Sequence, residues 1–185
     1  RRLGDVTGLA TFLNSPNASS QNEAVRALHD VAGRAGLIQL TKMNAEDLEG
    51  LTAPNRHRVL NAFYRRGLTE DGDVLSRFAA DESLPTSIRI EALKMLSRWN
   101  VPSAFDWVTW HHRPLGRREA LGAGARETTL VLLPKRSEPK ILKYAVATAM
   151  AHNWVEPSAQ AALVLSGDLE PDDQLRIGNS LRPYP

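Results

Sequence analysis

The sequence predicts an all-α fold, an α-solenoid of about five helical hairpins interrupted by one Trp-rich loop. Three observations carry this expectation. Apolar residues recur at i, i+3 and i+4 spacing along most of the chain, the stripe of a half-buried helix. One helical phrase returns along the chain, its first three copies roughly 30 to 35 residues apart, the mark of stacked supersecondary units. No convincing apolar–polar alternation marks a sheet, and aromatics are only 6% of residues, few enough for a core of Leu, Ala, Val and Ile.

Taken in chain order, a weak apolar helix is expected over 9–13. The first copy of the phrase follows over 22–35, with Ala27-Leu28 at its centre. A weak helix over 46–51 precedes the second copy over 55–66, centred on Ala62-Phe63. Another weak helix is expected over 74–80. The clearest helix begins after Asp81-Glu82-Ser83-Leu84-Pro85 and presents Ile88, Ala92, Leu93, Met95, Leu96 and Trp99. Pro85 suits a first turn, where its missing N–H would be unpaired anyway.

After an insertion over about 100–118, a helix is expected over 119–133, then a fourth copy over 139–152, centred on Ala145-Val146. Segments 159–165 and 171–181 form a closing pair. Each hairpin buries its apolar face only by stacking on a neighbour, so residues 1–185 are read as one domain with a curved right-handed stack. The expected core positions are Leu28, Val31, Leu60, Phe63, Leu93, Leu96, Val146 and Ala149.

Composition narrows the chemistry. No cysteine is present, which removes thiol nucleophiles, disulfides and zinc-thiolate sites. The formal net charge is +2, and the basic residues come in small groups such as Arg65-Arg66 and Arg117-Arg118, read as solvated surface. No apolar run is long enough to span a bilayer. The chain opens on Arg1-Arg2 without an initiator Met and closes on Arg182-Pro183-Tyr184-Pro185, and is read as a segment of a larger protein.

The insertion is the most unusual stretch. Of the chain's four tryptophans, Trp99, Trp107 and Trp110 lie in it or at its edge, with His111, His112 and Arg113 adjacent. Long loops on rigid scaffolds often carry function, and Trp and Arg are favoured binding anchors. Trp107, Trp110, His111, His112 and Arg113 are therefore the candidate interaction residues. The competing reading is that Trp107 and Trp110, three residues apart, share one side of a turn and pin the loop to the helices.

No catalytic constellation, metal site or cofactor site is readable. Adjacent histidines diverge and make a poor metal pair, and no HExxH pattern occurs. Acidic pairs such as Asp81-Glu82 and Asp172-Asp173 are explained by helix starts. Gly122-Ala123-Gly124 lacks the Lys-Ser or Lys-Thr of a phosphate loop and is read as close helix packing.

The phrase Leu84-Pro85-Thr86-Ser87-Ile88-Arg89-Ile90-Glu91-Ala92-Leu93-Lys94-Met95-Leu96 resembles the second helix of a HEAT repeat. The wider stretch over 81–119, with Trp99, Trp107-Val108-Thr109-Trp110 and His112-Arg113-Pro114-Leu115-Gly116-Arg117-Arg118-Glu119, resembles the HEAT segment of bacterial membrane-bound dehydrogenases. In that family a β-propeller precedes the repeats and a cytochrome c domain follows. The resemblance implies a non-catalytic scaffold for interdomain or protein–protein interaction, with protein partners, and a periplasmic or exported location. Nucleic acid is not an expected partner. The alternative is a HEAT-like DNA glycosylase, in which Trp99, Trp107 and arginines would line a surface with Asp106 as the acid.

Overall fold

The computed structural model describes residues 5–116, 118–134 and 138–155. These form eight α-helices: α1 (Val6–Thr11), α2 (Ala18–Asp30), α3 (Gly33–Leu40), α4 (Ala53–Arg66), α5 (Thr69–Ala80), α6 (Thr86–Ser97), α7 (Ala123–Leu132) and α8 (Pro139–Ala151). Two short 3-10 turns, Phe12–Asn14 and Glu46–Leu48, complete the regular structure. Among the described residues there is no strand, only one isolated antiparallel bridge between Phe105 and His112. The all-α expectation holds. The expected closing pair over 159–165 and 171–181 lies outside the described residues.

Local chemistry sets the helix ends. Asn17 caps α2, its side-chain oxygen accepting from the Ser19 and Ser20 N–H groups at 2.9 and 3.1 Å. Asp71 accepts the Leu68 N–H at 2.9 Å and so closes the first turn of α5. Gly67, at φ +71°, ends α4 in the left-handed conformation that a residue with a Cβ adopts only at a cost. Asp73 of α5 reaches across to cap α7, accepting the Ala125 N–H at 2.7 Å. A Cβ on Gly124 would come within 2.9 Å of that carboxylate, so the small residues at 122–124 do serve close packing.

α2 touches α3 and α4, α4 touches α5 and α6, and α6 touches α5 and α8, while α7 lies against α5 and α8. The four copies of the recurring phrase therefore sit side by side as α2, α4, α6 and α8. Their apolar stripes form one continuous core with α5, in which Leu28, Leu60, Phe63, Leu93 and Leu96 are buried. Val146 and Ala149 of α8 are buried as well.

Three expectations need correction. The helix read over 22–35 breaks after Asp30, and Val31 is 49% exposed rather than core. Gly33 at φ +59° turns the chain into a separate helix, α3, that periodicity had merged with α2. Gly36 then lets α3 approach α2 so closely that a Cβ there would stand 2.1 Å from the Leu28 carbonyl. The helix read over 46–51 is only a 3-10 turn, and that over 119–133 starts at Ala123. Residues 119 and 120 stay non-helical because their carbonyls accept from Trp99 Nε1 and Thr69 Oγ1.

Candidate functional site

The insertion is tied down by one buried carboxylate. Asp106 is 2% exposed. Its Oδ1 accepts the Val108 and Thr109 N–H groups at 2.9 and 3.0 Å, an Asx-type turn that shapes the loop from within. The same oxygen accepts Asn61 Nδ2 from α4 at 3.0 Å. Its Oδ2 faces two guanidinium groups, Arg65 Nη1 at 3.1 Å and Arg113 Nη1 at 3.8 Å. Burial would raise this carboxyl, but the Thr109 and Val108 N–H donors and the Arg65 guanidinium outweigh it and hold it below the usual range.

The network continues into α2. Asn61 Nδ2 also meets His29 Nε2 at 3.0 Å, and His29 Nδ1 meets Asp30 Oδ1 at 2.7 Å. Asp30 in turn binds Arg58 through both oxygens, at 3.1 and 2.9 Å. This arrangement assigns His29 as the neutral tautomer, donating from Nδ1 and accepting at Nε2. A proton on Nε2 would oppose the Asn61 NH2 group. Burial likewise pushes the imidazole below its ordinary value of 6.5, against the pull of Asp30 and Asp106.

A pH dependence follows. Below about 6.5 the unfolded chain protonates His29 while the folded chain still resists, so the unfolded state binds more protons and stability falls. Asp30 and Asp106, both held low when folded, add a second loss below their ordinary 3.8, where the unfolded carboxyls protonate first. Thermal melts from pH 7.5 to 5 should show a falling midpoint that flattens in His29→Gln; an unchanged slope in the variant would contradict this.

The five expected interaction residues divide between two faces. Trp107 is half-buried, stacked on Tyr64 at 5.3 Å between centroids, with Arg98 over its ring at 5.1 Å. Trp110 is 75% exposed, at φ +57°, its N–H donating to the Asp106 carbonyl at 2.8 Å. Hence Trp107 anchors the loop and Trp110 does not; the turn bends between them, so the two rings do not share one buried side. Trp107 and Trp110 line a groove of about 790 Å³ with Phe105, Arg98, Lys94 and Tyr144.

The histidines are exposed. His111 contributes its carbonyl to the Asp106 N–H, and His112 meets the Phe105 ring edge-on at 5.5 Å. Arg113 turns the other way, donating to the Asp30 carbonyl at 2.8 Å. There it joins Arg34, Arg65, Arg66 and Arg118 around a cavity of about 450 Å³. The reading of Arg65-Arg66 and Arg118 as dispersed solvated surface is therefore corrected: the fold gathers them. Arg117 lies outside the described residues.

No family model matches this chain, and no curated protein or solved structure matches it either.

Sequence reasoning missed His29, Asn61 and Arg65. A signal was present, since His29 and Asn61 each adjoin the apolar pair at the centre of a helical phrase, where a polar side chain needs a buried partner. Which partner could not be read, because Asp106 lies 45 residues beyond Asn61 in sequence. Among the described residues no group of three His, Asp or Glu side chains converges to hold a metal ion. No helix there is long and apolar enough to cross a membrane.

Proposed function

We propose that this chain is a non-catalytic helical-repeat scaffold that docks a polypeptide segment, from a partner protein or a neighbouring domain, in the groove beside Trp110. The observation that carries this is Trp110 itself. A tryptophan that is 75% exposed and held in the left-handed region contributes little to the core and carries a backbone cost, yet the Asp106 turn keeps it in place. Preordered aromatic side chains bind with little further loss of entropy. Phe105, Trp107 and Tyr144 supply the apolar floor of the groove; among the described residues Arg98 and Lys94, against the one carboxylate of Glu91, make it net basic. The occupant that fits is an extended or helical segment with an apolar anchor flanked by acidic residues.

The repeat architecture is part of the same proposal. The contacts of α2, α4, α6 and α8 with one another agree with the second helices of HEAT-like hairpins in a curved stack, about five in the whole chain. On the resemblance of residues 81–119, the scaffold is a segment of a bacterial membrane-bound dehydrogenase, holding a propeller and a cytochrome domain in fixed relation. The glycosylase alternative needs Asp106 open to a flipped base, whereas its carboxylate is buried and engaged by Asn61 and Arg65. That favours the scaffold reading.

A displayed peptide library selected on this chain tests the proposal. It should return acidic–apolar sequences whose binding is lost in Trp110→Ala, while the melting temperature of that variant stays within about 2 °C of the parent, because the ring leaves no cavity. Peptides that bind equally well without Trp110, or no selected sequence at all, would overturn it. Salt-sensitive DNA binding together with base release lost in Asp106→Asn would instead support the glycosylase alternative.

A further inference from the structure

The arginine-lined cavity lies on the other side of the loop from the Trp110 groove and has no part in that function. Its walls come from α2 and α3 (His29, Arg34), the last turn of α4 (Arg65, Arg66) and the loop (Arg113, Arg118), with apolar surface from Leu37 and Leu115. Among the described residues no carboxylate lines it. Behind the wall, Asp71 binds Arg66 through both oxygens and Asp106 faces Arg65 and Arg113. Among the described residues, two carboxylates thus answer five guanidinium groups.

Arg118 is the most telling of them. Its guanidinium lies over two rings, 3.9 Å from the centroid of Trp99 and 4.2 Å from that of Tyr64, and Nη2 donates to the Tyr64 carbonyl. Its Nε and Nη1 are buried without a hydrogen-bond acceptor among the described residues. Both atoms are closed off by the surrounding rings, so an anion in the adjacent cavity would act on this guanidinium through its charge rather than through a bond to Nε or Nη1. Burial lowers its pKa to about 10, so it still carries its charge at neutral pH. Arg34 adds an exposed guanidinium at the rim, with no ion pair among the described residues.

We propose that this cavity binds the phosphate group of a small phosphorylated molecule. Forked guanidinium donors approaching from three elements match a tetrahedral, multiply charged oxyanion better than a planar monocarboxylate. The volume of about 450 Å³ exceeds a bare phosphate and falls in the range of small-molecule sites, so the apolar wall of Leu37 and Leu115 faces the rest of the ligand. The competing account is that these groups serve only the protein itself, Arg66 pairing with Asp71, Arg65 with Asp106 and the Arg113 carbonyl, and Arg118 with the Tyr64 carbonyl.

Titration of the intact chain with sodium pyrophosphate, followed by calorimetry and by the Arg118 Nε–H resonance, separates the two. The expected result is saturable binding and a shift of that resonance, absent with sodium chloride at equal ionic strength. Arg34→Glu should weaken binding by roughly tenfold or more without changing the melting temperature of the free protein, since Arg34 supports no other contact. Arg118→Gln, which removes the charge behind the cavity wall, should weaken it as well. No saturable binding, binding indifferent to both substitutions, or citrate binding as tightly as pyrophosphate would each overturn the proposal.

Discussion

Replacing Asp106 by Ala is expected to destabilise the protein by about 3–5 kcal/mol, the usual consequence of removing one partner from a buried charge cluster. The substitution strips the Val108 and Thr109 N–H groups of their acceptor, leaves Asn61 with one unmet donor, and leaves Arg65 facing Arg113 without an intervening charge. For a domain of this size that corresponds to a melting temperature lower by roughly 10 °C. Asp106→Asn keeps the Oδ1 acceptor and should lose roughly half as much, because only the charge facing Arg65 and Arg113 is gone. Hydrogen exchange offers the local check: amides of 108–110 should lose protection in the Ala variant before those of α4 and α6. An Ala variant as stable as the parent would mean that the remaining contacts, Trp107 on Tyr64 and Arg113 on the Asp30 carbonyl among them, hold the loop without the carboxylate.

Trp99→Ala should be comparably severe, about 3–5 kcal/mol. The ring is 0% exposed, meets Tyr64 edge-on at 6.0 Å between centroids, and forms one face of the cage around Arg118. Its Nε1–H donates to the Glu119 carbonyl at 2.8 Å, so it fastens the far end of the loop to the end of α6. Its loss would open a large cavity and remove the surface on which a buried guanidinium rests. Trp99→Phe separates these contributions: it restores most of the apolar area but not the hydrogen bond, and should recover more than half of the loss. Denaturant melts of the two variants and the parent measure this directly; equal losses for Phe and Ala would place the stability in the Glu119 bond rather than in the ring.

These two residues show why the site was harder to read than the fold. Trp99 falls at the end of the clearest apolar stripe, so its burial follows from helical spacing. Asp106 lies in a segment without periodicity, and nothing local distinguishes it from a solvated aspartate. The same holds for Arg118, whose stacking on Trp99 and Tyr64 depends on where the loop returns. Trp107 and Trp110 carry the same side chain three residues apart, yet one is stacked on Tyr64 and the other is 75% exposed. The left-handed backbone at Trp110 makes that difference, and a tryptophan does not announce it.

The helices themselves were determined by the sequence: i, i+3, i+4 burial and capping residues such as Asn17 and Asp71 are local, and α2, α4, α6 and α8 stand close to where the recurring phrase places them. One local signal was overridden in the reading, since apolar spacing runs past Val31 while Gly33 turns the chain. Only the tertiary structure decided which polar groups meet. Stacking α2 on α4 and folding the loop across both brings His29, Asn61, Asp106 and the arginines together. Hydrogen bonds and charge pairs act over a few ångströms in space, whatever the separation along the chain, so no spacing in the sequence encodes them.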